Sequence, residues 1–510
     1  MVSTTAAAGA VRAGGIQGDA HLSNQDLLPV PVGKRNWSWW NYSALWMGMI
    51  HNVFGFTVIG GMMATGFSAA QALIVVTVAN LIQLLVMALN GRIGSRYGIP
   101  FPVWARAAYG VYGANVPALL RGAVAIGWFG VQLYLGSTAV NALLITAVGP
   151  WKSLGAIVLF GLGLNLWLSM IIFWSINFLL INHGMDTIRR FENWAGPLVI
   201  ALMVALVIWS VTTAHGIGPL FSSPSKYDTG TFITRALGPG VALFISAAWA
   251  TMCLNIPDLT RFARSNREAT MGTFIGLPLA TILFYGMAAI IVSGTQAAFG
   301  KALWNPSDIL LAINNPALTI FGAVLIAVAT LSVNVAANLV SPAYDLTNLL
   351  PRFFTFRRAA VVGIVLSFAY MPWRLMQTPD TLFSVLNNIS AVLGPATGVI
   401  MADYFVVRRR LLDVPDLYRA AGRYRGFNGF NLVGLGAMAL VSALIFLGEF
   451  NQSMHWLYDY AWFVGVSGGF ALYLALVYAL RAAQAERPEF QAVGSAGEEA
   501  AEVRPEPAGA

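Results

Sequence analysis

The stretch "SAAWATMCLNIPDLTRFAR", residues 246–264, begins as an apolar run yet holds Asn255, Pro257 and Asp258 before its first arginine. Proline removes one helical hydrogen bond and clashes with the preceding turn. At membrane depth such a break is tolerated where the backbone lines an enclosed cavity. A stretch of the same character lies earlier: "SALWMGMIHNVFGFTVIGGMMATG", residues 43–66, sets Gly48, His51, Asn52, Gly55, Gly60 and Gly61 in an apolar background. Outward from these two, runs long enough to cross a bilayer, about 20 residues each, fill the chain. They fall at approximately 43–66, 69–89, 116–148, 153–181, 195–214, 232–256, 273–299, 316–340, 358–376, 381–405, 428–449 and 458–480. The interrupted runs are the first and the sixth. Interruptions at matching places in two halves point to a transporter binding site. The expected fold is therefore an all-α membrane protein of about twelve transmembrane helices, with two inverted five-span repeats followed by two extra C-terminal helices.

Composition agrees with this reading. Hydrophobic residues make up 57% of the 510 and charged residues 10%, where a soluble domain carries roughly a quarter charged. The net charge of +8 follows topology and requires no nucleic-acid partner. With twelve spans and the N-terminus inside, Lys34, Arg35, Arg92, Arg96, Arg106, Arg261 and Arg408 to Arg410, among others, share the cytoplasmic side. Only Lys152, Lys226, Arg235, Lys301 and Arg374 fall outside. The lone cysteine, Cys253, forms no internal disulfide. The chain divides into a cytoplasmic segment 1–42, whose first 36 residues read as polar and mobile, a transmembrane domain 43–480 and a disordered cytoplasmic tail 481–510 rich in Ala, Glu and Pro. The first span serves as its own insertion signal, and the location is the inner membrane, with the lipid bilayer as partner. Oligomeric state is not encoded in these patterns.

Polar residues within the spans carry the functional reading. "GWFGVQLYLGS" places Trp128 and Gln132 four apart on one helical face. The sixth span supplies Trp249, and the eighth, "ATLSVNVAANLVSPAY", supplies Ser332, Asn334 and Asn338. Two indoles can sandwich a flat ring, each stacked face contributing roughly 1–3 kcal/mol by analogy with base–aromatic stacking. Carboxamides offer both a donor and an acceptor, so Gln132 and Asn338 suit the –NH–CO– edge of a ureide, imide or pyrimidine. The bland alternatives are interfacial anchoring for the tryptophans and helix–helix contacts for the carboxamides. Asn334 reads as structural and His51 as a packed histidine. Asp258 reads as an interfacial ion pair with Arg261, and Asp403 as one with Arg408 to Arg410.

Enzyme motifs are weak. Gly465-Val466-Ser467-Gly468-Gly469 fits G-x-S-x-G but lies in the last apolar span with no preceding strand, which marks helix packing. "GTQAAFGKA" (294–302) has one residue too many for a phosphate loop and no Ser or Thr after its lysine. No catalytic residues, metal site or cofactor are expected.

The motifs "WMGMIHN" (46–52), "NGRIGSRYGIPFPVWARAAYGVYGANVPALLR" (90–121), "HGMDTIRRFENWAGPLV" (183–199), "LNIPDLTRFA" (254–263), "SVNVAANLVSPAYDL" (332–346) and "LGPATGVIMADYFVVRRR" (393–410) resemble those of the nucleobase:cation symporter-1 family, and most closely its bacterial allantoin permeases. The resemblance runs from Asn24 to about Leu432, with "WFVGV" (462–466) beyond. It implies twelve spans in the five-plus-five inverted-repeat fold. Implied substrates are nucleobases, hydantoins, allantoin or vitamins. It also implies substrate contacts at Trp128, Gln132, Trp249 and Asn338, the four reached above. Ala248 stands where the family's hydantoin transporter has a glycine whose backbone meets substrate.

The implied sodium site falls on carbonyls of Gly48, His51 and Ala329 and on hydroxyls at Ser332 and at a position that is Val333 here. A hard cation needs several oxygens, so loss of one hydroxyl favours H+ over Na+ as the coupling ion, with His51 or Asp258 as carrier. The expectation is a secondary-active, proton-coupled importer of allantoin or a related hydantoin or uracil. The alternatives are an uncoupled nucleobase channel or facilitator and a sodium-coupled uracil or cytosine symporter.

Overall fold

The computed structural model describes residues 11–13, 16–50, 53–182, 185–217, 225–301, 303, 305–375 and 379–485. The rest of the tail expected to be disordered lies outside this set. Helices occupy all twelve expected span positions. Span one comprises Trp39–Ile50 and Val53–Ala64, span two Ala69–Tyr97, span three Asn115–Ala147, span four Leu164–Asn182 and span five Met185–Thr213. Span six comprises Leu237–Ala247, Ala250–Asn255 and Pro257–Thr260. Span seven is Asn266–Phe299, span eight Pro316–Asn338 continued by Val340–Leu349, and span nine Phe356–Leu366. Spans ten to twelve are Pro379–Ala402, Leu432–Phe450 and Ala461–Ala485. Seven of the described helices are long and apolar enough to cross a bilayer. Span four starts later than the apolar run, because Gly161 takes φ +85° and turns residues 158–163 into a short hairpin.

Ends are set locally. Ser68 accepts from the Gln71 N–H while Gln71 reaches back to the Ser68 N–H, a reciprocal cap at the start of span two. Gly98 closes the same helix at φ +73°, and a Cβ there would lie 3.0 Å from Val30 O. Spans ten and twelve meet through glycines: a Cβ at Gly469 would stand 2.5 Å from Pro395 O, and one at Gly465 2.5 Å from Pro395 Cδ. The G-x-S-x-G run is thus a close helix contact.

The break in span six has a chemical scaffold. Pro257 has no N–H to offer Cys253 O, four residues back, and Asn90 Nδ2 of span two donates there instead at 2.5 Å. Gln83 Nε2, two turns earlier on span two, donates to Ile245 O at 3.2 Å, where the helix gives way at Ala248–Trp249. Broken backbone is thereby satisfied by protein, as the apolar surroundings demand. Replacing Asn90 with Leu should leave Cys253 O buried and unpaired, at a cost of about 1–3 kcal/mol. Thermal unfolding of the purified variant in detergent checks this as a lowered midpoint.

Packing separates two bodies. Span seven packs on spans one and two, and span six on span two; span three packs on spans four and eight, and span nine on spans four and eight.

The polar segment before span one is not loose. Leu22, Leu27, Leu28 and Trp37 are buried, and charged side chains tie residues 19–37 across one face of the bundle. Arg106 donates to Leu22 O (2.6 Å), Leu417 O (2.9 Å) and Asn348 Oδ1 (2.6 Å). Arg261 donates to Asp26 O (3.0 Å) and Leu28 O (2.6 Å). Asp26 in turn accepts from the Phe356 N–H at 2.9 Å. Polar composition concealed this strap because its carbonyls are paired by Arg106 and Arg261, far away in sequence. The expected Asp258–Arg261 ion pair is absent for the same reason: that guanidinium serves the strap. The Asp403–Arg408 pair is present at 2.6 Å, with Tyr473 donating to the same carboxylate at 2.7 Å.

Candidate substrate site

At mid-span, where span six breaks, its helices face spans three, seven and eight across a cavity. Trp128 and Gln132 reach it from span three, Ala248, Trp249, Thr251 and Met252 from span six, Tyr285 from span seven, and Val333, Ala337 and Asn338 from span eight. All five residues expected to meet substrate line this one space. Its volume is about 40 Å³, far below the roughly 300–1,000 Å³ of a ligand pocket. A ring therefore needs the lining to widen.

The aromatic wall is fixed from behind. Trp249 stands edge-on to the buried Trp46 of span one, with ring centroids 5.5 Å apart and planes at 87°. This T-shaped contact holds one indole, while the half-buried Trp128 of span three lines the same cavity.

The carboxamides are arranged with a direction. Asn338 Nδ2 donates to Asn334 Oδ1 at 3.4 Å. Asn334 Nδ2 donates to Asn177 Oδ1 of span four at 3.3 Å, and Asn177 Nδ2 to Phe173 O at 2.8 Å. This relay uses one of the two Asn338 Nδ2 hydrogens, and the Asn338 carbonyl oxygen remains an acceptor for a ligand. Gln132 Oε1 is buried and has no partner among the described residues. A buried acceptor without a donor is costly, so this oxygen favours a ligand that brings an N–H group. Asn334, read from sequence as structural, is the middle of the relay.

The positions matched to a cation site divide. Gly48 and Ala329 are buried, as is Ser332. Val333 presents a methyl-bearing side chain to the cavity itself. His51 lies outside the described residues. Sequence reasoning missed Tyr285, whose place in "TILFYGMAA" (281–289) was its only signal, and Trp46 and Asn177, which act through other residues.

A family model described as a permease for cytosine/purines, uracil, thiamine and allantoin matches residues 29–465. The chain belongs to this family. Among such permeases, the allantoin permease of Bacillus subtilis (strain 168) is 42% identical over 457 residues, spanning 89% of this chain and 93% of that one. The hydantoin permease of Microbacterium maritypicum is 28% identical over 439 residues, 84% of each chain. A solved nucleobase-cation-symport-1 family transporter, in a closed conformation with bromovinylhydantoin bound, superposes with a TM-score of 0.75 at 26% identity, covering 92% of this chain and 97% of that one. The permease fold expected from the two interrupted spans is the one observed. The protein is a multi-pass membrane transporter and not an enzyme.

Proposed function

We propose that this permease is a secondary-active importer of a small planar heterocycle rich in N–H groups, allantoin or a close hydantoin, with uracil next. The observation that carries the reading is the paired acceptor geometry. Gln132 Oε1 has no partner among the described residues, and the Asn334–Asn177 relay fixes the Asn338 carboxamide through one of its N–H groups, leaving its oxygen as an acceptor. A ureide offers N–H donors to both oxygens while its ring stacks between Trp128 and Trp249. The names of similar permeases for allantoin and hydantoin favour the same class.

The coupling ion in this reading is H+. Val333 supplies no oxygen where a hydroxyl would complete a sodium site, and hard cations need several. The face carrying the strap is cytoplasmic, because it holds Arg96, Arg106, Arg261 and Arg408 to Arg410, in line with positive-inside topology; the membrane is the inner one. Alternating access then rocks the two bodies about the cavity.

Uptake of radiolabelled allantoin into cells expressing the protein tests this, at pH 6 and pH 8, with and without sodium, against unlabelled uracil, hydantoin and cytosine. The expected result is saturable uptake, faster at pH 6 and indifferent to sodium. Uptake that rises steeply with sodium at fixed pH would overturn the proton assignment. Equilibration without accumulation would indicate a facilitator.

A further inference from the structure

A second cavity, of about 530 Å³, opens at the strap-bearing ends of spans ten and twelve. That volume falls within the roughly 300–1,000 Å³ of ligand pockets. Its walls come from three segments: the wide last turn of span ten, Asp403–Val407; the connection 408–424; and the end of span twelve, from Tyr473 to Arg481. The connection is anchored on the strap, where the Tyr418 hydroxyl donates to Leu27 O at 2.8 Å and the Ala420 N–H to Asp19 Oδ2 at 2.8 Å. None of its lining residues belongs to the substrate cavity.

The walls carry three guanidinium groups, of Arg408, Arg423 and Arg481, and two carboxylates, of Asp403 and Asp413. Both oxygens of Asp403 are taken, Oδ2 by Arg408 Nε at 2.6 Å and Oδ1 by the Tyr473 hydroxyl at 2.7 Å. Arg423 Nη2 lies 3.3 Å from Asp413 Oδ2. Asp416, which Arg423 also approaches at 3.5 Å, is matched by Arg419 at 3.3 Å. One positive charge is therefore in excess. Arg481 feels Asp403 at longer range but has no ion pair among the described residues. Arg408 Nη2 donates to Ala107 O at 2.6 Å, and its Nη1 has no acceptor among the described residues. Arg409 and Arg410 add two cations beside the cavity, again without an acidic partner among the described residues. Both have positive φ, 49° and 68°, a conformation that side chains other than glycine seldom take.

The surroundings favour a lipid over a soluble anion. Only 17% of the membrane-crossing stretch of span twelve is buried, the least among the seven such helices. Tyr478 and Leu480 on its last turns are exposed, as is Leu411 on the cavity wall. The half-buried Val477 lines the cavity one turn before Arg481. An apolar surface thus runs along span twelve up to the unpaired guanidinium. At 1.5 Å per residue Tyr473 lies about 12 Å deeper than Arg481, so the cavity extends from the end of the span into its apolar part. Basic pockets between the ends of spans suit anionic headgroups.

We propose that this cavity binds the headgroup of an anionic glycerophospholipid. Arg408 Nη1 and Arg481 donate to the phosphate, and Leu411 and Val477 meet the start of the acyl chains. A phosphodiester carries one negative charge, which equals the excess on the walls. A more highly charged anion meets repulsion from Asp403 and Asp413, and a zwitterionic lipid brings a cation toward the arginines. The headgroup braces spans ten and twelve, which already touch where Gly465 and Gly469 meet Pro395. Neither the substrate nor the coupling ion enters this inference.

The test is native mass spectrometry of the purified full-length protein, titrated in detergent with phosphatidylglycerol or with phosphatidylcholine of the same acyl chains. The wild type should bind one phosphatidylglycerol about tenfold more tightly than phosphatidylcholine, the effect of two arginines at the phosphate. Arg481→Gln should weaken phosphatidylglycerol about fivefold and Arg481→Glu further, with phosphatidylcholine unchanged in both. Arg481 is exposed at the end of its helix, so neither substitution disturbs packing. Arg235→Gln, an exposed site at the other end of span six from Arg261, should match the wild type. Equal affinity of the wild type for the two lipids would overturn the assignment. So would phosphatidylglycerol binding that both Arg481 variants leave untouched, or that Arg235→Gln weakens equally. Displacement of phosphatidylglycerol by inorganic phosphate at equal concentration would assign the cavity to a soluble anion and overturn the lipid.

Discussion

Trp249→Ala should weaken allantoin binding by roughly five- to a hundredfold, the range given by losing about 1–3 kcal/mol of ring stacking. The indole is nearly buried and held edge-on by Trp46 at 5.5 Å, so a ligand ring meets a surface whose orientation is already fixed. Little of the stacking is then offset by ordering the side chain. Trp249→Phe should recover most of the loss, because a smaller aromatic face remains. Trp46→Phe should have a smaller effect, since Trp46 supports the wall without lining the cavity. Titration of purified protein with allantoin by calorimetry measures all three. Equal affinity in Trp249→Ala and wild type would remove the stacking site from the mechanism.

Asn338→Ala should raise the KM for uptake about tenfold or more, with little change in unfolding temperature. A buried hydrogen bond to a polar ligand contributes about 1 kcal/mol, and leaving the ligand's N–H unpaired costs up to about 3 kcal/mol. The substitution also releases Asn334 from its bond to Asn338. Asn177→Leu tests the relay separately. It removes only the far partner of Asn334, so affinity should fall less than in Asn338→Ala. If Asn177→Leu matched wild type while Asn338→Ala was inactive, Asn338 would act alone and the relay would have no role in orienting it.

Much of this site was visible in the sequence for one physical reason. A carboxamide or an indole in the middle of an apolar span is expensive, so Gln132, Asn338, Trp128 and Trp249 stand out against their background. What the spacing of residues cannot show is the partner across the bundle. Asn90 and Gln83 are plain in the second span, but their acceptors are carbonyls freed by a break 162 and 163 residues away. Asn177 is equally plain, and only the packing of span four against span eight places it behind Asn334. Asp258 and Arg261 are one helical turn apart and read as a pair, yet the arginine turns to Asp26 O and Leu28 O. The strap was misread for the complementary reason: its anchors, Leu22, Leu27 and Leu28, are too few to form a periodic pattern, and its polar groups are satisfied by other segments.

A structure of the protein bound to allantoin tests the site most directly. The ring should lie between Trp128 and Trp249, its N–H groups directed at Gln132 Oε1 and Asn338 Oδ1, with the Asn338–Asn334–Asn177 relay intact. Allantoin bound elsewhere in the bundle, with these side chains left as they stand around the small cavity, would contradict the assignment.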